Sequence, residues 1–496
     1  MASSTIFEKQ DRVGLAYWME EVLAQCAKAE RDLSSDPVHD LRTALRRCRS
    51  LADGIRVFDR DPAWKKMRRA AKDLFGSLGE LRDIHIMMEW VAKLSPAGDP
   101  TAKNVAAYLA TREQEAQTKA SSVLQNFDCR QWNNWVGKLP GRAMRVPTGS
   151  AVLAHLALER WHEAYTLHLR ASRNRTNVGF HNLRIAIKRL RYTTENFLPV
   201  LHQSWSGDFK EIQDILGEIH DLDVLWQTAV QIKAFPDLAA RAEWRTRLVQ
   251  ERKQRLDLYR SRMSGKNSLW TVWRESLPRE DECRTLGLER LKIWAAFLDV
   301  QMSHSKHVAE LSLQMFDGMR VDGVLSRPNH DSYRWILRAA ALMHHVGRVK
   351  TNSGYHKASA RLIKKLAPPL GWTVGELQVA ALVARYHRGA LPIGTQKGFA
   401  ALSLSKQHVV QFLGGILRLA CACDWEQNSE IASLQVESLD PLITVRAKGY
   451  VESTPLAEHI AAARHLLELT YRKPVFFVAA EPIAAEANIK VRAQAA

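Results

Sequence analysis

Apolar residues recur at helical spacing along most of the chain, and this pattern predicts a mostly all-α protein. In "LAYWMEEVLAQCAKAE" (15–30), "LRIAIKRLRYTTENFL" (183–198) and "AEHIAAARHLLELTY" (457–471) they fall three and four positions apart, as on one face of a helix. Strand-like alternation occurs only near "SLDPLITVRAKGYV" (438–451) and "KPVFFVAA" (473–480). We therefore expect helical bundles, with a little β structure near the C-terminus.

One amphipathic pattern occurs twice in the N-terminal half. "VHDLRTALRRCR" (38–49) recurs as "FHNLRIAIKRLR" (180–191). A second block, "LGELRD" (78–83), follows the first copy and recurs as "LGEIHD" (216–221) after the second. Self-similarity of this kind indicates a tandem duplication in which each copy is a set of several helices.

Each repeated helix carries a cationic stripe beside an apolar stripe. The cationic stripes are His39, Arg42, Arg46 and Arg49 in the first copy and His181, Arg184, Lys188 and Arg191 in the second. The apolar stripes are Val38, Leu41, Leu45 and Cys48, and Phe180, Leu183, Ile187 and Leu190. Asp36 is the expected N-cap of the first helix, with Pro37 as its first helical residue.

Retention of the cationic stripe in both copies suggests a role for it. Like charges four residues apart each destabilise a helix by about 0.2–0.5 kcal/mol, and a single such stripe is usually a solvated face. Two equivalent stripes favour a shared groove that binds a linear polyanion. Arginine suits this role because its planar guanidinium binds phosphate oxygens in pairs.

Composition agrees with an anionic partner. The chain has 496 residues, enough for more than one domain, and a net charge of +18 with a pI near 9.7. The start of the chain lacks the apolar region of a signal peptide, no apolar run is long enough for a membrane span, and the six cysteines form no C-x-x-C pair. We expect a cytoplasmic protein with reduced thiols and no membrane partner.

The nature of the polyanion follows from the neighbours of the stripes. Base stacking calls for aromatic residues among the basic ones, and Tyr192 is the only aromatic neighbour. No nucleic-acid-binding motif is visible. These patterns favour inorganic polyphosphate over nucleic acid, and a nucleic-acid-binding module is the weaker alternative.

The duplicated H-x-L-R-x-A-x-[RK]-R-x-R helices, each followed by L-G-E-x-x-D, resemble the CHAD (conserved histidine α-helical domain) family over roughly residues 7–262. The resemblance implies two helical bundles related by a pseudo-twofold axis, a basic channel that binds inorganic polyphosphate, and association with polyphosphate granules and their proteins. The channel residues would be His39, Arg42, Arg46, Arg49 and Lys72, with His181, Arg184, Lys188, Arg191 and Lys210. One departure is His220, which stands where the first copy has Arg82. The acidic residues expected to orient the basic side chains are Glu80, Asp83, Glu218 and Asp221.

The C-terminal half contains a different histidine-rich pattern. "LRAAALMHHVGRVKTNSGYHKASARLIKKL" (337–366) is a helix, a histidine pair, a turn and a helix. "SHSKHVAELSLQMF" (303–316) precedes it, and "VAALVARYHRG" (379–389) and "GGILRLACACDW" (414–425) follow. This order resembles the HD superfamily of metal-dependent phosphohydrolases over roughly 285–480, in particular the HD-like C-terminal domain of exopolyphosphatase and guanosine-pentaphosphate phosphohydrolase.

The metal ligands of that superfamily are only partly retained. HD catalysis uses a histidine, a His-Asp pair and a distant aspartate. His304 and His344 remain, but His345 replaces the paired aspartate and Cys421 the distant one. Three further residues of the pattern are Asp424, His356 and His387. We expect degenerate positions without a metal or other cofactor. A zinc site of His344, His345 and Cys421 and a residual hydrolase are the alternatives.

Together these patterns predict the domain order and the function. The expected segments are a CHAD domain at 7–262 with halves at 7–137 and 151–262, a linker at 263–284, an HD-like domain at 285–480 and a tail at 481–496. We expect a polyphosphate-binding protein located at polyphosphate granules, whose HD-like module binds phosphate or a partner and is not a catalyst. The alternative is an HD-type metal-dependent phosphohydrolase acting on polyphosphate or a phosphorylated nucleotide.

Overall fold

A computed structural model of the chain describes residues 14–319, 330–439 and 441–480. The chain divides into two compact units, Met1–Glu282 and Cys283–Ala496. The predicted mostly all-α fold is confirmed, and the strands that the described residues form lie near the C-terminus. No helix in these ranges is both long enough and apolar enough to cross a bilayer. The expected tail at 481–496 lies outside the described residues.

The first unit consists of helices. They are α1 (Leu15–Ala29), α2 (Ser35–Ile55), α3 (Pro62–Leu94), α4 (Pro100–Gln125), α5 (Cys129–Ala143), α6 (Ala151–Asn174), α7 (Asn177–Phe197), α8 (Pro199–Gln231), α9 (Leu238–Met263) and α10 (Leu269–Glu275).

The duplication is visible in the lengths and packing of these helices. α2 and α7 have 21 residues each, α3 and α8 have 33, and α4 and α9 have 26. In the first half α1, α2, α3 and α4 pack in succession, and α5 closes against α1; in the second half α6, α7, α8 and α9 do the same, and α10 closes against α6. The halves meet where α2 contacts α7 and α3 contacts α8.

The apolar stripes of α2 and α7 form the core of each half, as predicted. Leu41, Leu45 and Cys48 are fully buried, and so are their counterparts Leu183, Ile187 and Leu190. Burial of a leucine or isoleucine side chain contributes about 1.5–3 kcal/mol. The predicted cap is wrong: α2 begins at Ser35, with Ser34 at the N-cap position, so Asp36 and Pro37 lie within its first turn.

Two expected connections contain helical structure. Residues 138–150 separate the two predicted halves, but α5 continues into them as far as Ala143, with Pro140 inside the helix. The segment 263–284 was expected to be a linker, but it contains α10, which buries Trp270 and Trp273 within the first unit. Glycine, serine and asparagine on the N-terminal side of α10 do form turns. The tryptophans of α10, however, pack against the helices of the second half. α10 is therefore the fifth helix of the second half.

The second unit is helical with a small sheet. Its helices are α11 (Cys283–Ala296), α12 (Met302–Gly318), α13 (His330–Met343), a 3-10 turn (Val346–Val349), α14 (Tyr355–Ile363), α15 (Val374–Tyr386), α16 (Lys397–Ala400), α17 (Leu404–Cys423), α18 (Pro455–Ala463) and α19 (His465–Tyr471), and its strands are β1 (Ser433–Leu439), β2 (Leu442–Lys448) and β3 (Val475–Ala479).

The core of the second unit surrounds α17. This helix contacts α12, α13, α15, α18 and α19, and its glycine Gly415 lies against the backbone of Leu467 on α19. β2 is the central strand, antiparallel to β1 and parallel to β3. The sequence patterns did not predict most of β1, and the helix predicted over 457–471 is divided into α18 and α19 at Arg464.

Candidate functional site

Two adjoining cavities lie between the halves of the first unit, and we call them the cationic cavities. Their volumes are about 760 and 610 Å³. Both are lined by Arg42 from α2 and by Arg184 and Lys188 from α7. The two copies of the cationic helix therefore contribute to one shared site.

Half of the predicted channel residues line these cavities. His39 and Arg46 line the larger one, together with Arg42, Arg184 and Lys188. The predicted residues that line neither cavity are Arg49, Lys72, His181, Arg191 and Lys210. The two lysines are exposed, so they lie on the outer surface of α3 and α8. The ring of His181 lies 4.9 Å from that of His220, which does line the smaller cavity.

Arg42 is held in place by α3. Its guanidinium lies 4.6 Å from the ring centroid of Phe75 and donates a hydrogen bond of 3.3 Å to the Phe75 carbonyl. A Cβ at Gly79 would lie 3.0 Å from Nη1 of Arg42, so the glycine of the L-G-E block leaves room for the guanidinium. Arg49 lies over the same ring at 4.7 Å. The second half has a corresponding contact with a different chemistry. There Arg191, the counterpart of Arg49, donates a hydrogen bond to Gln213, the counterpart of Phe75.

Aromatic residues are closer to the stripes than the sequence indicated. Phe75 and Trp90 of α3 line the larger cavity, and Arg46 lies over Tyr192 at 5.5 Å. Sequence reasoning missed the two α3 rings because they lie far from the stripe along the chain.

The glutamates of the second repeated block form ion pairs with residues outside the cationic stripes. Glu80 pairs with Arg112 and with Lys119, the latter at 2.9 Å. Glu218 pairs with Arg255 at 2.7 Å. Both glutamates thus bind cations of α4 and α9, contrary to the expectation that they orient the stripes.

The two aspartates also line the cationic cavities, as Glu80 and Glu218 do. Asp83 lines the smaller cavity and Asp221 lines both. Burial raises the pKa of Asp221 to about 6, although the positive charge of Arg184 opposes the rise. Burial, with the nearby charge of Arg184, lowers the pKa of Lys188 to about 8 and that of His220 to about 4. At neutral pH the imidazole of His220 is therefore uncharged.

Arg47 lies off the cationic stripe and connects the halves. It pairs with Glu195 of α7 at 2.5 Å, donates to Asn196 at 3.2 Å and lies over the ring of Trp18 at 5.1 Å. The contacts with Glu195 and Asn196 join α2 to α7, which carry the two stripes.

The second unit brings the predicted histidines together. His304 lies on α12, His344 and His345 follow α13, and His387 ends α15. The ring centroid of His345 lies 4.7 Å from that of His304 and 4.0 Å from that of His344, and His344 lies 4.9 Å from His387. His356 lies at the edge of this group, with its ring 6.3 Å from that of His387.

A cavity of about 360 Å³ opens beside these histidines, and we call it the histidine cavity. Its predicted lining residues are His304, His345, His387, Cys421 and Asp424. Its cationic lining residues are Arg348, Arg388 and Arg418. Sequence reasoning missed these arginines, since no pattern distinguishes them from other basic residues of the chain.

Hydrogen bonds fix the orientation of the imidazoles. Nδ1 of His304 donates to Oδ2 of Asp424 at 2.7 Å, and Nδ1 of His344 donates to the Ala341 carbonyl at 2.6 Å. Nδ1 of His387 donates to the Ala384 carbonyl at 2.7 Å. Asp424 thus acts on the site through His304.

The turn that carries the histidine pair is tightly packed. Ser359 of α14 donates from Oγ to the His344 carbonyl at 2.7 Å and accepts from the Gly347 amide at 2.8 Å. A Cβ at Gly347 would lie 2.2 Å from the Tyr355 carbonyl oxygen, so only glycine allows this approach.

Burial keeps His344, His345 and His387 neutral. It lowers the pKa of His344 and of His345 far below the ordinary value, and it lowers that of His387 to about 3. Burial also raises the pKa of the Cys421 thiol. Neutral imidazoles keep a lone pair, which is the form that binds metals.

The donor chemistry of this cluster differs from that of an HD site. His304, His344 and His345 each place one ligand atom within 4.8 Å of the other two, and His344, His387 and Cys421 form a second, overlapping set. Nitrogen and sulfur donors suit zinc, whereas the missing carboxylates suit harder ions. The residues present therefore fit a metal, but a softer one than HD catalysis uses.

Comparisons with known proteins agree with the two-unit fold. Residues 17–230 match the family model of the CHAD domain, and residues 288–459 match that of Ppx/GppA phosphatase, domain III. No curated protein matches the chain. The chain thus combines a CHAD domain with a Ppx/GppA phosphatase domain III.

Proposed function

We propose that this protein binds inorganic polyphosphate in the cationic cavities of its CHAD domain. The observation that carries the proposal is the shared lining of two adjoining cavities by Arg42, Arg184 and Lys188, one from α2 and two from α7. Stripe residues rise about 5 Å per turn of helix, so the cations can contact phosphates at intervals along a linear polymer. A polymer with a charge on every unit can bind to the cations of both cavities at once.

The environment of the aromatic rings supports a polymer without bases. Stacking needs an open ring face. The guanidiniums of Arg42 and Arg49 both lie within 4.7 Å of the Phe75 centroid, and Lys93 and Arg255 lie over Trp90 at 4.6 and 5.2 Å. These rings support the cations and leave little face for a base.

The second domain is proposed to bind phosphate groups or a partner. Arg418 keeps a buried Nε without a hydrogen-bond partner among the described residues, and Arg388 is exposed at the cavity. Guanidiniums that line a cavity suit a phosphate. Location at polyphosphate granules in the cytoplasm, among other granule proteins, belongs to the same proposal.

Neutralising the shared arginines tests polyphosphate binding. We expect Arg42→Gln with Arg184→Gln to weaken binding at least tenfold, since a hydrogen bond to a charged group contributes about 1.5–3 kcal/mol. The matched control is Arg60→Gln with Arg173→Gln, which removes the same charge from exposed positions that line neither cavity. Affinity is measured by titration with long-chain polyphosphate at several salt concentrations.

The salt series and a competitor complete this experiment. By analogy with nucleic acids, affinity should fall steeply with salt, and less steeply in the double variant. Long-chain polyphosphate should displace single-stranded DNA of equal charge. Equal losses in the two double variants, or tighter binding of DNA, would contradict the proposal.

A second candidate function is phosphohydrolysis in the histidine cavity. The observation that favours it is the assembly of His304, His344, His345 and Cys421 with Asp424 beside three arginines. Phosphate release from polyphosphate is measured with added zinc or manganese. Release by the natural chain supports hydrolysis. If the natural chain releases no phosphate but the double variant His345→Asp with Cys421→Asp does, the result supports a binding role for a site that has lost its carboxylates.

A further inference from the structure

We propose that the second unit holds one transition-metal ion of the zinc class on His304, His344 and His345. This site goes beyond polyphosphate binding and lies in the other unit, so either proposal can fail alone. One ligand atom from each of the three side chains lies within 4.8 Å of the other two. All three side chains are at least nine-tenths buried.

Unpartnered nitrogens are the independent observation for this site. Nε2 of His344 and Nδ1 of His345 are buried, and no group among the described residues binds them. A buried polar atom without a partner costs about 1–3 kcal/mol. Two such atoms on adjacent residues, both beside His304, are the arrangement that a bound cation would satisfy.

The imidazoles are also oriented as metal ligands are. A ligating histidine usually donates its other ring N–H to a carboxylate or a carbonyl. His304 donates Nδ1–H to Asp424 and His344 donates Nδ1–H to the Ala341 carbonyl. Both Nε2 atoms are then left with a free lone pair.

The overlapping set of His344, His387 and Cys421 fits less well. Nε2 of His387 already accepts a hydrogen bond of 3.1 Å from the Tyr355 hydroxyl, and Nδ1 donates to Ala384. His387 therefore has no nitrogen left for a metal. The three-imidazole set has no carboxylate or thiolate, so nitrogen donors select zinc and its neighbours over magnesium or calcium.

Metal analysis of the full chain tests the site. The protein is stripped with a chelator, loaded with zinc, and passed through a column with a weak competing chelator that removes surface-bound ions. We expect one zinc per chain in the natural protein and in His408→Asn, a variant of an exposed histidine on α17. We expect none in His344→Asn. Absence of zinc from the natural protein, or retention by His344→Asn, overturns the proposal.

Two further measurements test the site even if His344→Asn does not fold. His345→Asp replaces a nitrogen donor by an oxygen donor, and we expect its preference to shift from zinc towards manganese; an unchanged preference contradicts ligation by His345. Cobalt in the natural chain should give visible ligand-field bands without a near-ultraviolet sulfur charge-transfer band. Such a sulfur band would show that Cys421 is a ligand and that the three-imidazole set is wrong.

Discussion

Arg42 is positioned by three features of one neighbouring helix. A ring, a carbonyl and the bare backbone of a glycine on α3 together hold its guanidinium at the wall shared by both cationic cavities. Burial also lowers the pKa of Arg42, but an arginine stays charged at any physiological pH. The residue thus offers a fixed positive charge whose direction depends on Gly79.

Gly79→Ala should therefore weaken polyphosphate binding without unfolding the domain. The added Cβ would lie 3.0 Å from Nη1 of Arg42, at the end of a flexible side chain that can move away. We expect a severalfold loss of affinity, and a free energy of unfolding that falls little or even rises, because alanine is favoured over glycine in helices by about 0.5–1 kcal/mol. Titration and urea unfolding measure the two quantities.

The control for this variant is Gly207→Ala on α8. A Cβ there meets no atom within 4 Å, and Gly207 lines neither cationic cavity. It should keep full affinity. Equal affinities of the two alanine variants would contradict the positioning role of Gly79.

Asp221 gives binding a predicted pH dependence. A bound polyanion repels the ionised carboxylate, so the complex favours the protonated form, and affinity should rise as the pH falls through about 6. Above about 8, deprotonation of Lys188 should lower affinity further. Asp221→Asn should bind more tightly at neutral pH and lose the rise near 6. Titrations across this range check it, with exposed Asp257→Asn keeping the natural profile.

At the scale of elements, a short turn sets the geometry of the histidine site, and short helices complete the bundles of the first unit. The 3-10 turn (Val346–Val349) places His344 and His345 against α12, and Gly347 lets that turn approach α14. In the first unit, α10 packs against α6 and α9, and α5 packs against α1 and α3. The 3-10 turn is short but packs against backbone atoms. α10 is also short but carries large buried rings.

Gly347→Ala should destabilise the second unit. Its Cβ would lie 2.2 Å from the Tyr355 carbonyl and 2.4 Å from the Ser359 amide, and backbone atoms cannot move aside as side chains do. We expect a loss of at least about 1–3 kcal/mol in the free energy of unfolding. Urea unfolding measures it. Gly394→Ala, where a Cβ meets nothing within 4 Å, should change little, and equal stability of both variants would contradict the close approach.

Trp270→Ala should destabilise the first unit. Its ring packs against Trp161, Tyr165 and His168 at centroid distances of 6.0, 5.5 and 5.4 Å. Truncation of a buried tryptophan costs about 3–5 kcal/mol. Thermal unfolding measures the change, with exposed Val272→Ala on the same helix as control. A small effect would mean that 263–284 is a linker after all.

At the scale of the whole molecule, the cationic site and the histidine site could be predicted from the sequence to different extents. The cationic helices could be predicted because the duplication repeats the same residues at helical spacing. The placement of Lys72 and Lys210 on the outer surface could not be predicted. A match between the two copies does not show which face of α3 or α8 points towards the core. The histidine positions were predicted from a resemblance, but Arg348, Arg388 and Arg418 carried no pattern at all.

The sequence alone determined the all-α fold, the duplication and the apolar faces of α2 and α7, because helical periodicity and repetition are local properties of a chain. It also indicated the histidines of the second unit, through the resemblance of their motifs to a known family. Tertiary structure alone decided that α10 completes the first unit, that Glu80 and Glu218 bind cations of other helices, and that Asp424 orients His304. Each of these is a contact between residues distant in sequence. No local pattern encodes such a contact, since it depends on how the helices pack.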